Sequence, residues 1–210
     1  IFRVRGGGQH DYLFHGPAVD VLLDGISVTE PGVGTLAGRD VAFGSKPDSV
    51  LPYHVDNKGY QYLFDVRQGD PDGPYRASWK MDDDVTFSAD FLPARGERFY
   101  QTTGYPRPSS KSLPPMPFLV RRTKPENDAA VSLFASVLSY TKDAPLVVRA
   151  QRLALTAGSD KEACAILIEH QYGEDVVLSS LSSSGYAKTA DGRYELHGQF
   201  AAISRRDGQP

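Results

Sequence analysis

The feature that most constrains this chain is a hydrophobic pattern that repeats every two residues along most of its length. Apolar and polar side chains alternate from Tyr75 to Met81, and again from Val85 to Phe91, on either side of an acidic turn at residues 82–84. Successive side chains of a β-strand point to opposite faces, so this pattern is typical of strands with one buried face. The two segments predict a pair of antiparallel strands.

The same period returns in most of the remaining chain. It covers residues 118–122, 131–140, 146–155, 163–170, 175–180 and 194–203. Tyr172-Gly173-Glu174 and Asp191-Gly192 are typical of hairpin turns, and a Pro-rich connection spans residues 104–117. Only residues 126–138 carry a helical pattern, and a strand fits them at least as well. About ten strands with frequent turns predict an all-β fold, an antiparallel multi-stranded β-sandwich with supersandwich-like layers.

Length and composition narrow the class of protein. The 210 residues suit one β-sandwich domain over residues 1–205, followed by a frayed tail at 206–210. A net charge of −3 provides no basic field for nucleic acid, and no apolar run approaches the roughly 18–20 residues of a membrane span. The sequence has no signal peptide, and it opens with a strand-like alternation at residues 1–5, so we expect a fragment or a processed product.

The densest polar segment is GGGQHDYLFHG, residues 6–16. Strand alternation places His10 and Tyr12 on one face and Asp11 and His15 on the other, so the two histidines do not converge. One interpretation puts His10 and Tyr12 at the edge of a substrate cleft. The other has them partly buried with local hydrogen-bond partners.

Metal and nucleophile motifs are missing from the sequence. The five histidines are scattered, without the close spacing of a metal site, although a site assembled from distant strands stays open. No G-x-S-x-G motif occurs, and Cys164, the one cysteine, alternates with Ile166 and Ile168 like a small core residue. The acidic turn at 82–84 lacks the other ligands of a calcium loop. These residue patterns support neither a nucleophile nor a local metal site.

Aromatic and basic residues suggest a carbohydrate surface. Sugar rings stack on exposed aromatic faces, and several aromatics lie in or beside a loop-rich stretch: Tyr53, Tyr60, Tyr62, Phe64 and Tyr75. Tyr60 and Tyr62 either line a groove or cap the sandwich edge, whereas the regular alternation around Trp79 predicts a core position. Arg121 and Arg122, with Lys124, form a basic cluster that could hold a carboxylate bidentately or be a solvated strand end.

Several segments, in order along the chain, resemble the C-terminal region of the heparinase II/III-like polysaccharide lyases. Their shared motifs are Phe2-Arg3-Val4-Arg5-Gly6-Gly7, then His10-Asp11-Tyr12-Leu13-Phe14-His15-Gly16, Tyr75-Arg76-Ala77-Ser78-Trp79-Lys80, Phe118-Leu119-Val120-Arg121-Arg122 and Phe134-Ala135-Ser136-Val137-Leu138. One departure is Ser139-Tyr140, where the family often reads E-P-Y.

The resemblance implies that the parent protein has an N-terminal α/α toroid followed by antiparallel β-layers, and that it cleaves uronate-containing polysaccharide by β-elimination. The family's catalytic residues and metal ligands lie in the toroid and in motifs upstream of the first match, so none of them carries over, and the resemblance implies no catalytic residue, metal ligand or cofactor in this chain. The resemblance also implies a periplasmic or secreted parent.

Two functional hypotheses follow. In the first, the chain is a lyase β-sandwich with a scaffold and cleft-wall role, inactive alone, that works with the toroid domain or a companion chain. Its candidate substrate contacts are His10, Tyr12, Tyr60, Tyr62, Arg121 and Arg122. In the alternative, it is a non-catalytic carbohydrate-binding β-sandwich module. The expected partner is an acidic polysaccharide for the lyase domain and a glycan for the module. A further possibility is a purely structural domain with neither activity nor glycan affinity.

Overall fold

A computed structural model describes residues 1–45, 59–106, 113–142, 144–160, 162–182 and 185–206. The strands are β1 (Phe2–Arg5), β2 (His10–Phe14), β3 (Leu22–Asp24), β4 (Phe64–Gly69), β5 (Tyr75–Lys80), β6 (Thr86–Leu92), β7 (Arg98–Gly104), β8 (Met116–Thr123), β9 (Val131–Thr141), β10 (Val147–Leu153), β11 (Cys164–His170), β12 (Gly173–Ser179), β13 (Tyr186–Lys188), β14 (Glu195–His197) and β15 (Phe200–Arg206). Within these ranges the only helices are short 3-10 turns at Tyr60–Tyr62 and Asp82–Asp84. The all-β prediction is confirmed.

The strands form antiparallel sheets that pack in layers. One outer sheet has the order β2-β8-β7-β4, the middle sheet β1-β9-β6-β5-β3, and the second outer sheet β10-β11-β12-β15. The hairpin β13-β14 covers the far side of the second outer sheet, where Ala187 and Leu196 pack on Val176 and Leu178. None of the described helices is long and apolar enough to cross a membrane.

Alternation along the middle sheet supplies two separate cores. On one face of β6, Phe87, Ala89 and Phe91 pack against Leu119 of the first outer sheet. On its other face Leu92 packs with residues of the second outer sheet. A sheet covered on both faces explains why β6 has buried residues at nearly every position.

The predicted hairpins are present with local differences. Strands β5 and β6 pair as expected, with Tyr75 opposite Phe91. The β11–β12 turn is tighter than predicted: His170 already pairs with Gly173, so the loop is Gln171-Tyr172. The predicted strand at 194–203 is interrupted at Gly198, whose φ of 149° lies in a region that side chains disfavour.

Several predicted core positions are confirmed. Trp79 is completely buried, and Tyr75 is buried beside it rather than in a groove. Cys164 is also buried, and burial raises the pKa of its thiol although Arg152 and Arg3 oppose this effect. Of the predicted frayed tail, Arg206 is the last residue of β15, and residues 207–210 lie outside the described part of the chain.

Candidate functional site

The outer face of the β2-β8-β7-β4 sheet carries an ion pair that begins with strand register. Asp11 of β2 lies directly opposite Arg122 of β8, so both side chains point to the same face. Arg122 Nε donates to Asp11 Oδ1 at 2.8 Å, and Nη2 donates to Oδ2 at 2.7 Å. This bidentate geometry fixes both side chains, which are largely buried at 13% and 7% exposure.

Tyr60 adds a further hydrogen bond to this ion pair. The 3-10 turn at Tyr60–Tyr62 places the Tyr60 hydroxyl where it donates to Asp11 Oδ2. The Arg122 guanidinium lies 5.7 Å from the Tyr60 ring centre and 4.9 Å from that of Tyr100. We call Asp11, Tyr60, Tyr100 and Arg122 the Arg122 site.

The electrostatics of the Arg122 site favour a protonated Tyr60 phenol and a charged Arg122 guanidinium. Burial, followed by the hydrogen bond to Asp11, raises the pKa of Tyr60 to about 12. Burial alone would lower the pKa of Arg122, but the hydrogen bonds and charge of Asp11 outweigh it and raise that pKa. Near neutral pH the phenol therefore keeps its proton and donates it to Asp11, and both Asp11 oxygens accept hydrogen bonds. The site is a fixed support rather than an acid–base pair.

An aromatic cluster lies beside the same turn. Phe43 packs at 5.8 Å from Tyr62, 5.4 Å from Phe64 and 5.9 Å from Tyr105, measured between ring centres. Phe43 is 39% exposed, and the other three rings are partly exposed. We call these four residues the aromatic cluster. It gathers two phenylalanine and two tyrosine side chains, all at least partly exposed, around strand β4 at the edge of its sheet.

His10 lies inside the fold, so its predicted substrate contact is wrong and the local alternative is correct. It is 3% exposed, and its Nε2 lies 2.6 Å from the Gly6 carbonyl oxygen, which can only accept a hydrogen bond. Its Nδ1 lies 2.8 Å from Ser132 Oγ. Tyr12 is partly buried on the same face and stacks on Phe134 at 5.7 Å. Both residues join β2 to the middle sheet.

Arg121 is also an internal residue, which corrects the prediction that it contacts substrate with Arg122. Neighbouring residues of a strand point to opposite faces, so Arg121 faces the core while Arg122 faces outward. Arg121 is completely buried and forms an ion pair with Glu97, with its Nε 2.5 Å from Glu97 Oε1. The predicted basic surface cluster is therefore divided between two faces of the sheet.

The remaining predicted candidates are dispersed. Tyr53 and His54 fall outside the described residues, and His15 packs edge-on against Phe118 at 5.4 Å. Nowhere in the described ranges do three or more His, Cys, Asp or Glu side chains gather as a metal site would require.

Sequence reasoning missed a cleft of about 740 Å³ along the edge of β10. Arg95, Arg149 and Arg152 line this cleft, together with the turn Pro71–Pro74. Arg95 lies in the turn between β6 and β7, whereas Arg149 and Arg152 belong to β10. No local sequence pattern therefore indicates that all three line one cleft. The only sequence signal is the pair Arg149 and Arg152 in one strand, which by itself is ordinary.

Fold and geometry define a layered antiparallel β-sandwich with an aromatic edge, an internally paired arginine site and a basic cleft. No model of a known protein family matches the chain, and no curated protein matches it either.

Proposed function

We propose that this chain is the β-sandwich region of a lyase acting on uronate-containing polysaccharide, with a scaffold and cleft-wall role. The ordered motifs of the sequence support this proposal. Two of them meet in space: Gly16, at the end of the His-Asp-Tyr motif, lies against the indole of Trp79. Antiparallel β-layers of this kind also agree with the architecture that the resemblance implies.

The observation that carries the proposal is the aromatic cluster beside the Arg122 site. Tyr60 and Tyr62 share one 3-10 turn, so a sugar ring against Tyr62 would lie next to the fixed ion pair of Arg122 with Asp11. Stacking on partly exposed rings is tolerant of the sugar's identity, so the choice of an acidic sugar rests on the sequence motifs and not on Arg122, which Asp11 already pairs.

The chemistry itself is assigned to residues outside this chain. β-Elimination needs a neutralised carboxylate, a base for the C5 proton and an acid for the leaving oxygen. The candidates described here are occupied: Asp11 is paired with Arg122, His10 is buried, and Tyr60 holds its proton. A toroid domain or companion chain would supply these groups.

Activity of the isolated chain is the first test. Mixed with alginate, heparin or another glycuronan, the chain should bind without producing the ultraviolet absorbance of an unsaturated uronate. Robust production of that absorbance by the chain alone would contradict the scaffold role.

Glycan affinity is the second test, and it addresses the cluster. The Tyr62→Ala variant should lose most of its affinity for glycuronan in isothermal titration calorimetry, because the stacking face is removed. Tyr172→Ala, which truncates a tyrosine that is 60% exposed outside the cluster, is the matched control. Equal affinity of the two variants would refute a role for the cluster.

The alternative proposal is a carbohydrate-binding module without an enzymatic parent. The aromatic cluster supports glycan binding in either case, and the ordered sequence motifs favour the lyase. The two proposals differ in what the full gene product does. The lyase proposal expects elimination from uronate chains by the full gene product, whereas the module proposal expects binding alone.

A further inference from the structure

Strand β9 has a strand partner along only part of one of its edges. On one side it pairs with β6 from Ala135 to Thr141. On the other side it pairs with β1, but only from Val131 to Phe134. In the described part of the chain no strand lies beside residues 136–141 on that side. Alternate backbone N–H and C=O groups of this segment therefore point to an open edge.

The open edge of β9 lacks the features that usually prevent strand addition. Residues 136–141 read Ser-Val-Leu-Ser-Tyr-Thr, with no proline and no charged side chain, and their pairing with β6 has no bulge. Proline, charge and bulges are the common means of protecting an exposed edge. Leu138 is 52% exposed and Tyr140 is 61% exposed beside it. Such an edge favours pairing with a further strand.

The second outer sheet covers the space beside this edge. Strand β11 lies over β9, where Ile166 packs with Ala135. Strand β12 lies over β1, since Arg3 donates to the Ser179 carbonyl at 3.1 Å. Strand β15 is one position further out in the same sheet. The line that continues β1 past Ile1 is therefore roofed on one side by β12 and β15.

Two adjoining cavities occupy this line. The cavity beside β1, of about 620 Å³, has apolar side chains of three strands in its lining, those of Val137, Val177 and Phe200. The next, of about 730 Å³, is lined at its far end by the ion pair of Asp175 with Arg206. We call the two cavities together the β9 groove. An extended segment that fills it needs an apolar side chain near Val177 and a polar one near Asp175.

A second copy of the chain cannot fill the β9 groove by pairing its own β9 antiparallel with this edge. The incoming β9 would take the line of β1, beneath β12. Its own β11 would then occupy the same place as β12 of the first copy, because neighbouring strands are only about 4.8 Å apart. This overlap excludes β9-to-β9 pairing alone among the ways in which two copies can meet. A single extended segment carries no second layer and avoids the overlap.

We propose that the β9 groove is a strand-addition site for an extended segment of a partner polypeptide. The segment lies antiparallel to β9, in line with β1, and pairs with residues 136–141. Backbone hydrogen bonds supply its affinity, and the cavities select its alternate side chains. The side chain opposite Val137 is apolar, and the one opposite Ser139 is polar. This inference goes beyond glycan binding and does not depend on it.

A synthetic peptide tests the backbone ladder. The capped peptide Lys-Thr-Val-Thr-Val-Val-Thr-Lys places a valine opposite Val137 and a threonine opposite Ser139. Two N-methylated versions remove amide donors from alternate core residues, one from the odd positions and one from the even positions. The version methylated on the side facing β9 should bind at least roughly tenfold more weakly, because it loses several hydrogen bonds. The other version should bind as the unmodified peptide does in fluorescence anisotropy.

A protein variant tests the groove itself. Val177→Phe should weaken binding of the unmodified peptide by roughly tenfold or more, because the larger ring fills the space that the peptide needs. Val148→Phe is the matched control, since Val148 is 67% exposed on β10, outside the groove. The peptide should also slow hydrogen exchange of amides in residues 136–141 and leave those of β10 unchanged.

Each outcome decides the proposal. Equal affinity of the two N-methylated peptides would refute it, and so would equal binding by the two phenylalanine variants. Slower exchange in β9 at high protein concentration, with no effect of the peptide, would assign the groove to a second copy and refute the partner segment. If Val177→Phe does not fold, the comparison of the methylated peptides still decides. Loss of glycan affinity in Tyr62→Ala should leave peptide binding unchanged, so this inference and the proposed function fail separately.

Discussion

Arg121 is a buried arginine whose N–H groups all donate hydrogen bonds. Its guanidinium donates to Glu97, to the carbonyls of Leu92 and Ala135 and to the Ser136 hydroxyl. All five N–H groups therefore have acceptors, as a buried cation requires. The residue links β8 to the middle sheet through charge-assisted hydrogen bonds that are buried away from solvent.

Breaking this pair should be costly. Arg121→Met and Glu97→Leu should each lower the free energy of unfolding by about 3–5 kcal/mol, because each leaves one buried charge without its partner. The double variant should cost clearly less than the sum, since both charges are then gone. Urea denaturation of the four proteins measures this. The exposed pair Arg205–Glu174 is the control, and removing it should cost about 1 kcal/mol or less. A double variant as damaging as the sum would refute the coupling.

Tyr60 should make the protein's stability sensitive to alkali. Its folded pKa of about 12 lies above the ordinary value, so folding favours the protonated hydroxyl. This contribution is complete below about pH 10 and is lost as the pH rises through the folded pKa. The melting temperature of the unmodified protein should fall as the pH rises above about 10. The melting temperature of Tyr60→Phe should fall less over the same pH range. Tyr172→Phe, an exposed control, should not change the profile. Burial also raises the pKa of Tyr75, which should account for part of the fall that remains.

At the scale of elements, Gly16, just after the end of β2, packs directly against the indole of Trp79 in β5. A Cβ placed on Gly16 would lie 2.1 Å from Trp79 Cε2, and that ring is completely buried. The indole cannot move away without disturbing Phe14 and Phe87, whose ring centres lie 5.8 and 5.6 Å from its own. The glycine thus sets the distance between the first outer sheet and the middle sheet.

Replacing Gly16 should lower the stability of the protein, whereas replacing the nearby Gly8 should leave it almost unchanged. Gly16→Ala should destabilise the protein by about 1–3 kcal/mol or more through overpacking. Gly8→Ala, where the added methyl meets nothing within 4 Å, should change stability by less than about 0.5 kcal/mol. Thermal unfolding of both variants makes the comparison. Similar melting temperatures would contradict the packing role of Gly16.

Strands and turns were largely readable from the sequence because their information is local. The alternation around Trp79 and Phe87 identified a strand pair and its buried face, and the structure confirms both. The interruption at Gly198 was not predicted. A glycine within an alternating segment gives no sign of whether the chain continues in one sheet or passes to another.

At the scale of the whole molecule, arginines join the middle sheet to the second outer sheet. Arg3 donates to the Ser179 carbonyl at 3.1 Å, and Arg76 donates to the Val147 carbonyl at 2.7 Å. Arg152 reaches in the opposite direction, to Leu92 and Leu133. These bonds satisfy carbonyl groups at the layer boundary and complement the apolar core between the same sheets.

The same boundary opens into an apolar groove. Two adjoining cavities of about 730 and 620 Å³ share Val137, Leu138 and Ile168 as lining residues. Leu138 is 52% exposed and Phe200 is 65% exposed at this groove. Exposed apolar surface next to strand edges favours association with another chain.

We expect the isolated chain to self-associate as its concentration rises, unless a companion chain covers this groove. Leu138→Lys should shift the sedimentation equilibrium towards monomer, because it places a charge in the groove. Leu13→Lys is the matched control, since Leu13 is 48% exposed on β2, outside the groove. A wild-type chain that stays monomeric at high concentration would contradict the expectation.

The sequence by itself determined the fold class, the positions of strands such as β5, β6 and β11, and the burial of Trp79 and Cys164, because a strand's periodicity is carried by neighbouring residues. The candidate site was determined only in part. Tyr60, Tyr62 and Arg122 were singled out from the sequence, but their proximity in space was not predicted, and His10 and Arg121 proved internal. Only the tertiary structure decided which partner each charge has and which arginines share the β10 cleft. Those relations depend on how separate sheets pack, and no local pattern records that packing.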